Sequence, residues 1–187
     1  MTTNHQNIES LIEQCMSGNQ SAQLEIYNRY YKAMYNTSLR IVKNSFEAED
    51  IMQDSFLMAF TKLNTLKDKT VFGSWLKRIV VNNSIHHYKK QSKKQETSLN
   101  DTLFKVEDQN INDNTNHAEI SLKVKQVLDG LSSLKDNYRV ALTLNLIEGF
   151  DYDEVSDIMN ISNANCRTMI SRAKNSLRQK LEHLRIN

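Results

Sequence analysis

Two stretches of the chain carry side chains suited to binding DNA. Between Arg167 and Arg185 there are six basic residues and one acid, Glu182. Between Trp75 and Gln95 there are six further basic residues and no acid. Guanidinium and ammonium groups bind phosphates, and Asn, Ser and Thr side chains can contact base edges. The net charge of the whole chain is only +2, so the positive charge is concentrated in these two stretches.

Other chemistries have weaker support in the sequence. Cys15 and Cys166 are far apart and have no CxxC or His partner at ligand spacing, which argues against a disulfide framework and a zinc site. A metal-dependent enzyme would have to use His86 and His87. Adjacent residues on a helix point about 100° apart, and no carboxylate lies at the spacing of an HExxH site. We therefore expect no metal, no cofactor and no enzymatic activity.

The elements that position the basic stretches are predicted to be helices. The 187 residues include no proline and four glycines, and few runs alternate polar with apolar residues. The composition therefore predicts an all-α fold. No apolar run approaches the roughly 20 residues of a membrane span, and the N-terminal MTTNHQNIES lacks the pattern of a signal peptide. We expect a cytoplasmic protein without direct membrane insertion.

The sequence predicts two small helical domains joined by a flexible acidic and polar linker. Residues 95–117 are rich in Asn and Asp, carry net negative charge and show no sustained helical period. We place the first domain at residues 1–94, the linker at 95–117 and the second domain at 118–187. Each domain then needs its own core, which amphipathic helices can build.

Three amphipathic helices are predicted in the first domain. The apolar stripe of a long helix over residues 21–42 is assigned to Leu24, Tyr27, Tyr31, Met34 and Tyr35. A helix over residues 46–63 has an apolar face and an opposite acidic face, which consist of Met52, Phe56, Ala59, Phe60 and Leu63 and of Glu47, Asp50 and Asp54. The acids are expected to face solvent or a partner. A third helix is predicted to begin near Gly73 to Ser74, with Ser74 as its N-cap.

Residues 151–181 have the pattern of a helix-turn-helix. Asp151 and Glu154 have the spacing of a capping box, and Gly149 can end the preceding helix at positive φ. Asn160 suits a left-handed turn residue, and Ser162 can cap the next helix. The second helix is predicted to have an apolar stripe of Cys166, Ile170, Ala173, Leu177, Leu181 and Leu184. Its opposite face is polar and basic, as in helices that contact bases in this motif.

These segments, in this order, resemble the extracytoplasmic-function (group 4) sigma factors, two-domain subunits that direct bacterial RNA polymerase to promoters. The stretch EAEDIMQDSFLMAFTKL resembles their polymerase-binding segment, and FGSWLKRIVVNNSIHHYKK resembles their promoter-melting segment. Residues 131–181 resemble their C-terminal DNA-binding domain. The resemblance implies core RNA polymerase and promoter DNA as partners. It also implies an anti-sigma factor that sequesters the chain at the inner membrane.

The resemblance further implies roles for individual residues. Docking on the clamp helices of the largest polymerase subunit is implied for Glu49, Asp50, Gln53, Asp54 and Leu57. Recognition and melting of the −10 element are implied for Leu66, Lys67, Phe72, Trp75, Arg78, Asn82, His86 and Lys89. Within that set, the loop 66–72 matches the one that holds a flipped-out base, and Trp75 is assigned first to the core. Recognition of the −35 element is implied for Arg167, Thr168, Ser171 and Arg172, with Lys174 and Arg178 on phosphates.

Three positions in the helix-turn-helix depart from the family pattern. Asn160, Cys166 and Met169 stand where the family often has Gly, Val and Arg. Met169 removes one phosphate contact, so we expect modest DNA affinity from this domain. A rival interpretation is an ordinary transcription regulator that acts as a dimer. That interpretation gives no role to the acids of residues 47–54 or to the loop 66–72.

Overall fold

The computed structural model describes residues 7–97 and 118–185, and the regular elements within those ranges are all helical. The chain divides into two compact units, Met1–Asp101 and Thr102–Asn187, which we call the first and second units. The prediction of an all-α chain with two helical domains is confirmed. The helix that ends the first unit extends to Thr97, and the rest of the predicted linker lies outside the described residues. Among the described residues, no helix is long and apolar enough to cross a membrane.

Residues 7–97 of the first unit form four α-helices and two short 3₁₀ turns. They are α1 (Ile8–Met16), α2 (Gln20–Val42), α3 (Ser45–Thr61), the turns Leu63–Thr65 and Lys69–Val71, and α4 (Phe72–Thr97). Three asparagines begin the first three helices: the side-chain oxygens of Asn7, Asn19 and Asn44 accept hydrogen bonds from backbone N–H groups in the following turn. Such caps satisfy donors that the helix itself leaves unpaired.

Helices α2, α3 and α4 pack against one another around a common core, and α1 covers one side of it. The core includes Ile26 of α2, Phe56 of α3 and Val80 of α4, all almost fully buried. Leu11 and Ile12 of α1 are also buried there. The sequence analysis did not predict α1, although nine residues of this helix complete the core.

Polar side chains connect α4 to both of its neighbours inside the first unit. The Asn83 amide donates a hydrogen bond to Ser55 Oγ on α3 at 2.9 Å. The buried Ser84 hydroxyl lies 3.0 Å from Ser38 Oγ on α2. Buried polar groups are costly unless they are paired, so these contacts favour one rotation of α4 about its axis over the alternatives.

Three expectations for the first unit are wrong: the buried face of α2, the N-cap of α4 and the solvent exposure of Glu47. The buried stripe of α2 runs through Ala22, Ile26, Met34 and Ile41, whereas Leu24 and Tyr31 are 60% and 43% exposed. The reason is that α2 carries apolar residues around most of its circumference, which leaves the choice of buried face to the neighbouring helices.

Helix α4 begins at Phe72, and Ser74 lies within its first turn, where the hydroxyl donates to the Val71 carbonyl. Ser74 is therefore not the N-cap. Glu47 is half-buried rather than solvent-facing, because its long side chain reaches α4, where Oε1 accepts a hydrogen bond from the Gln91 side chain.

The second unit contains α5 (Ala118–Ser132), α6 (Asp136–Leu142), a π-helical segment (Thr143–Ile147), α7 (Tyr152–Met159) and α8 (Asn163–Arg185). Six consecutive residues, 139–144, are buried, so the end of α6 and the start of the π-helical segment lie at the centre of this unit. Gly130 allows α5 to approach α8 closely: a Cβ atom at this position would lie 3.1 Å from Leu177 Cδ1.

Candidate nucleic-acid and polymerase interfaces

Helix α4 presents one polar row to solvent. Arg78, Asn82 and His86 are exposed, and Lys89 is half-buried. The four positions recur at spacings of four, four and three, so they form one ridge that is about 16 Å long. That length corresponds to about five nucleotide steps at the spacing of B-DNA. The opposite side of α4 is buried through Leu76, Val80, Val81 and Ile85.

The loop that precedes α4 is preorganised by its own hydrogen bonds and by α1. The Asp68 carboxylate accepts hydrogen bonds from the Thr70 amide at 2.9 Å and the Thr70 hydroxyl at 2.6 Å. These bonds lower the pKa of Asp68, because they stabilise the charged carboxylate. Lys69 forms an ion pair with Glu13 of α1, with 2.6 Å between Nζ and Oε1. Lys67 is exposed in the same loop.

The two aromatic residues at the start of α4 belong to the core to different degrees. Phe72 is fully buried and packs edge-on against Tyr30, with ring centroids 5.4 Å apart. It belongs to the hydrophobic core and presents no face on which a base could stack. Trp75 is half-buried against the same core, and the centroids of its ring and the Phe72 ring are 5.9 Å apart. Leu66 also packs against this core. The assignment of Trp75 first to the core agrees with this packing.

His86 and His87 have different surroundings. His86 is exposed on the polar ridge. His87 is half-buried, and its Nδ1 lies 3.7 Å from Glu47 Oε2.

Helix α3 carries the exposed acidic surface. Glu49, Asp50, Gln53 and Asp54 are exposed, and the Gln53 amide donates to Glu49 Oε1 at 3.3 Å. Leu57 is 66% exposed on the same side.

Beside these acids lies an apolar groove of about 330 Å³ between α2 and α3, which we call the α2–α3 groove. Its lining residues are Tyr27, Gln53, Phe56, Leu57 and Phe60. Exposed Leu24 and Tyr31 of α2 belong to the stripe that also carries Tyr27. All three α2 residues belong to the apolar stripe that the sequence predicts for this helix. Their regular spacing was visible, but spacing alone does not separate a buried face from a protein-binding face.

The helix-turn-helix has the local geometry that the sequence predicts. Asp151 and Glu154 exchange both hydrogen bonds of a capping box, at 2.8 and 3.1 Å. Asn160 has φ 53° and ψ 54° in the turn between α7 and α8. Ser162 Oγ accepts a hydrogen bond from the backbone N–H of Asn165 at 3.3 Å. Gly149, with φ 81°, precedes the capping box. Each of these predictions is confirmed.

Helix α8 is buried on one face and polar on the other. Cys166, Ile170 and Ala173 are almost fully buried, and Leu177 is 8% exposed. Burial raises the pKa of the Cys166 thiol, so this side chain stays neutral in the core. The side chain of Leu184 lies outside the described residues. The predicted apolar stripe is thus confirmed through Leu177.

The polar face of α8 contains all six residues expected to contact the −35 element. Arg167, Thr168, Ser171, Arg172 and Arg178 are exposed, and Lys174 is half-buried. Some of these side chains are held by local contacts: the Thr168 hydroxyl donates to the Ala164 carbonyl at 2.9 Å, and Arg178 Nη1 donates to Asn175 Oδ1 at 3.1 Å. The arrangement suits contacts with phosphates and base edges along a major groove.

Comparison with known proteins agrees with this two-unit arrangement. Residues 26–94 match the family Sigma-70 region 2, and residues 125–177 match the family Sigma-70, region 4. The first match covers α4 up to Lys94, and the second covers the helix-turn-helix. Together they define a sigma-type transcription initiation factor.

Two curated relatives identify the type of sigma factor. The ECF RNA polymerase sigma factor SigM of Bacillus subtilis is 34% identical over 155 residues, which cover 82% of this chain and 91% of that protein. The ECF RNA polymerase sigma factor SigW of the same species is 29% identical over 185 residues, covering 95% and 98%. The chain belongs to the extracytoplasmic-function sigma factors, and its function is to direct RNA polymerase to promoters for the initiation of transcription.

Solved structures share the fold. The sigma factor RpoE of Bartonella quintana, in complex with the anti-sigma factor NepR, has a TM-score of 0.60 at 19% identity, covering 84% of this chain and 95% of that chain. CnrH, in complex with the cytosolic domain of CnrY, has a TM-score of 0.55 at 22% identity, covering 94% and 97%.

Proposed function

We propose that the two units divide promoter recognition between them. The first domain (residues 1–94) docks on core RNA polymerase and holds the unwound −10 strand, and the second (residues 118–187) reads the −35 duplex. Residues 95–117 are the linker that joins them. The observation that carries this proposal is that each unit has a long helix, α4 in the first and α8 in the second, with a buried stripe on one side and an exposed polar row on the other.

Polymerase docking is assigned to the exposed surface of α3 and the α2–α3 groove. Glu49, Asp50, Gln53 and Asp54 supply polar and acidic groups, and Leu57 supplies an apolar one. We propose that the clamp helices of the largest polymerase subunit occupy this surface, with apolar side chains in the groove and basic side chains opposite the acids. Exposed apolar residues next to a groove support a protein partner rather than solvent.

Melting of the −10 element is assigned to the ridge of α4 and the loop before it. Asn82 contacts bases, and Arg78, His86 and Lys89 follow the strand. A flipped-out base costs a few kcal/mol of stacking, which contacts in the loop around Leu66 and Lys67 offset. Phe72 supports this loop from the core, and the exposed edge of Trp75 borders the strand.

Reading of the −35 element is assigned to α8 in the major groove. Arg167, Thr168, Ser171 and Arg172 contact base edges, while Lys174 and Arg178 contact phosphates. Two sites of modest strength on one polymerase add their binding free energies through effective concentration. This arrangement explains how a chain with a net charge of +2 can bind promoters.

Three further statements belong to the same proposal. The protein acts in the cytoplasm, where the chromosome and the polymerase are. It catalyses no reaction itself, because RNA synthesis is performed by the core enzyme. An anti-sigma factor, anchored in the inner membrane, is its regulatory partner, and the fold likeness to a sigma factor solved with an anti-sigma factor supports this assignment.

The test is run-off transcription by purified core polymerase and the full chain on genomic DNA fragments, which also identifies a promoter. Arg172→Ala is expected to weaken use of a promoter that depends on its −35 element by about 1–3 kcal/mol, the value of a bidentate base contact. Asn82→Ala is expected to reduce permanganate reactivity of the −10 region more than closed-complex binding. Gln179→Ala, an exposed change on α8 outside the proposed contacts, is the matched control.

Two outcomes contradict the proposal. If the protein fails to co-purify with core polymerase but binds operator-like DNA as a dimer, the polymerase-docking role is lost. If Arg172→Ala and Asn82→Ala both transcribe like the control, the assignment of the two ridges is lost.

A further inference from the structure

One tyrosine of the second unit contacts two cations of α8. Tyr152 is the first residue of α7 and is half-buried. The guanidinium carbon of Arg167 lies over its ring at 5.3 Å from the centroid, and Lys174 Nζ lies over the ring at 5.9 Å. Both distances are within the range of a cation–π interaction. The supporting helix therefore contacts the DNA-facing helix through charged side chains as well as through the apolar core.

The spacing of the two cations explains how one ring reaches both. Arg167 and Lys174 are seven residues apart, so they lie about two turns apart in nearly the same row of α8. Two like charges in one row repel each other. The negative face of an aromatic ring lowers that repulsion by attracting both cations to a fixed place between α7 and α8.

A cation held in this way keeps its donors. The attraction to the ring acts on the delocalised charge of the Arg167 guanidinium, and a cation–π contact uses none of its five N–H donors as a hydrogen bond. Those donors can still bind a phosphate or a base edge. The ring also restricts two long side chains that would otherwise lose rotamer freedom when DNA binds, so part of the entropic cost of binding is met before the DNA arrives.

We infer that Tyr152 is a positioning residue, which holds Arg167 and Lys174 in the orientation that α8 presents to DNA. This inference rests on the proposed function of that face. It gives α7 a role beyond packing, because the ring of the supporting helix sets the direction of two side chains on the recognition helix. Tyr152 itself does not need to touch the DNA.

The test uses full-length protein and two readouts. The first is the NMR resonance of the Arg167 Nε–Hε group, which the ring current of Tyr152 shifts. We expect the resonance to keep its position in Tyr152→Phe, which retains the ring, and to move in Tyr152→Leu. Tyr138→Leu is the matched control, because Tyr138 is another half-buried tyrosine of the second unit.

The second readout is the affinity for a labelled random-sequence DNA duplex at low salt. Tyr152→Leu is expected to weaken binding by between about threefold and tenfold, which corresponds to the ordering of about one long side chain on binding, while Tyr152→Phe stays within about twofold of the wild type. In a background that already carries Arg167→Ala and Lys174→Ala, Tyr152→Leu should have no further effect.

The outcomes separate this inference from the function on which it rests. An Arg167 resonance that does not respond to Tyr152→Leu overturns the inference. An equal loss of affinity from Tyr152→Leu with and without the two cations also overturns it, because the ring then acts only on folding. If Arg167→Ala with Lys174→Ala binds DNA as tightly as the wild type, the DNA-binding role of this face is lost too.

Discussion

Helices α4 and α8 present similar polar rows, but the protein holds them in place by different means. Side chains of α4 hydrogen-bond to α2 through Ser84 and to α3 through Asn83. Helix α8 is placed by an apolar stripe and by the capped turn before it, and the polar contacts on its exposed face are local or involve Tyr152. A helix fixed by buried polar pairs has one favoured rotation, whereas a helix fixed by a stripe relies on close packing. The difference predicts which substitutions disturb each surface.

The largest effect is expected from the stripe of α8. Ile170→Ala removes a side chain that is 1% exposed, and the cavity should lower the free energy of unfolding of the second unit by about 2–5 kcal/mol. Hydrogen exchange should show faster exchange of α8 amides and unchanged exchange of α4 amides. Gln179→Ala, at an exposed position of the same helix, should change the free energy of unfolding by no more than about 0.5 kcal/mol. Equal acceleration in α4 would contradict the independent placement of the two helices.

A smaller effect is expected from the polar contacts of α4. Asn83→Ala removes the donor to Ser55 Oγ and should cost about 1–2 kcal/mol, because the fully buried Ser55 hydroxyl loses the hydrogen bond that it accepts and keeps only the one that it donates to the Ile51 carbonyl. Trp75 is the only tryptophan of the chain, so its fluorescence during urea unfolding reports on the first unit. The adjacent Asn82→Ala, at an exposed position, is the matched control and should leave the urea midpoint unchanged while it impairs strand opening. Identical midpoints for both variants would refute the role of the polar contact.

The smallest effect is expected in the loop before α4 and depends on pH. The folded pKa of Asp68 is lowered by its bonds to Thr70, so this cap stabilises the loop above the unfolded pKa of about 3.9 and is lost as the pH falls through the folded pKa. Exchange of the Thr70 amide should therefore accelerate in acid beyond its intrinsic pH dependence. Asp68→Asn keeps an acceptor that does not titrate and should abolish this acceleration. A wild type and a variant with the same pH profile would show that Asp68 does not hold the loop.

The parts of the fold that the sequence predicts well are those with local causes. The capping box at Asp151, the left-handed Asn160 and the cap at Ser162 each act within a few residues, so their pattern is sufficient to place α7 and α8. The six predicted DNA-facing residues of α8 follow from the same local register. The position of the polar face of α8 therefore follows almost entirely from local sequence.

The parts that it predicts poorly depend on neighbouring helices. Leu24 and Tyr31 have helical spacing, yet the buried face of α2 is chosen by α3 and α4. Phe72 lies in a loop-to-helix junction and is buried because Tyr30 packs against it. Glu47 shares the periodicity of the acids of α3, but its burial depends on the positions of His87 and Gln91 on α4. Helix α1 was not predicted although Ile8, Leu11 and Cys15 have helical spacing; nine residues are too few for a helix that is stable alone, and packing of Leu11 and Ile12 supplies the stability.

The exposed face of α8 has a consequence for how such proteins diverge. Ser171 and Arg172 are exposed, while the stripe that holds the helix consists of other residues. Substitutions on that face change the contacts available to DNA at little cost in stability. With the proposed −35 contacts on this face, a duplicated copy of the gene can acquire a new promoter preference through a few changes on one helix face and keep a folded product at each step. Residues 139–144, which are buried without interruption, allow no such drift.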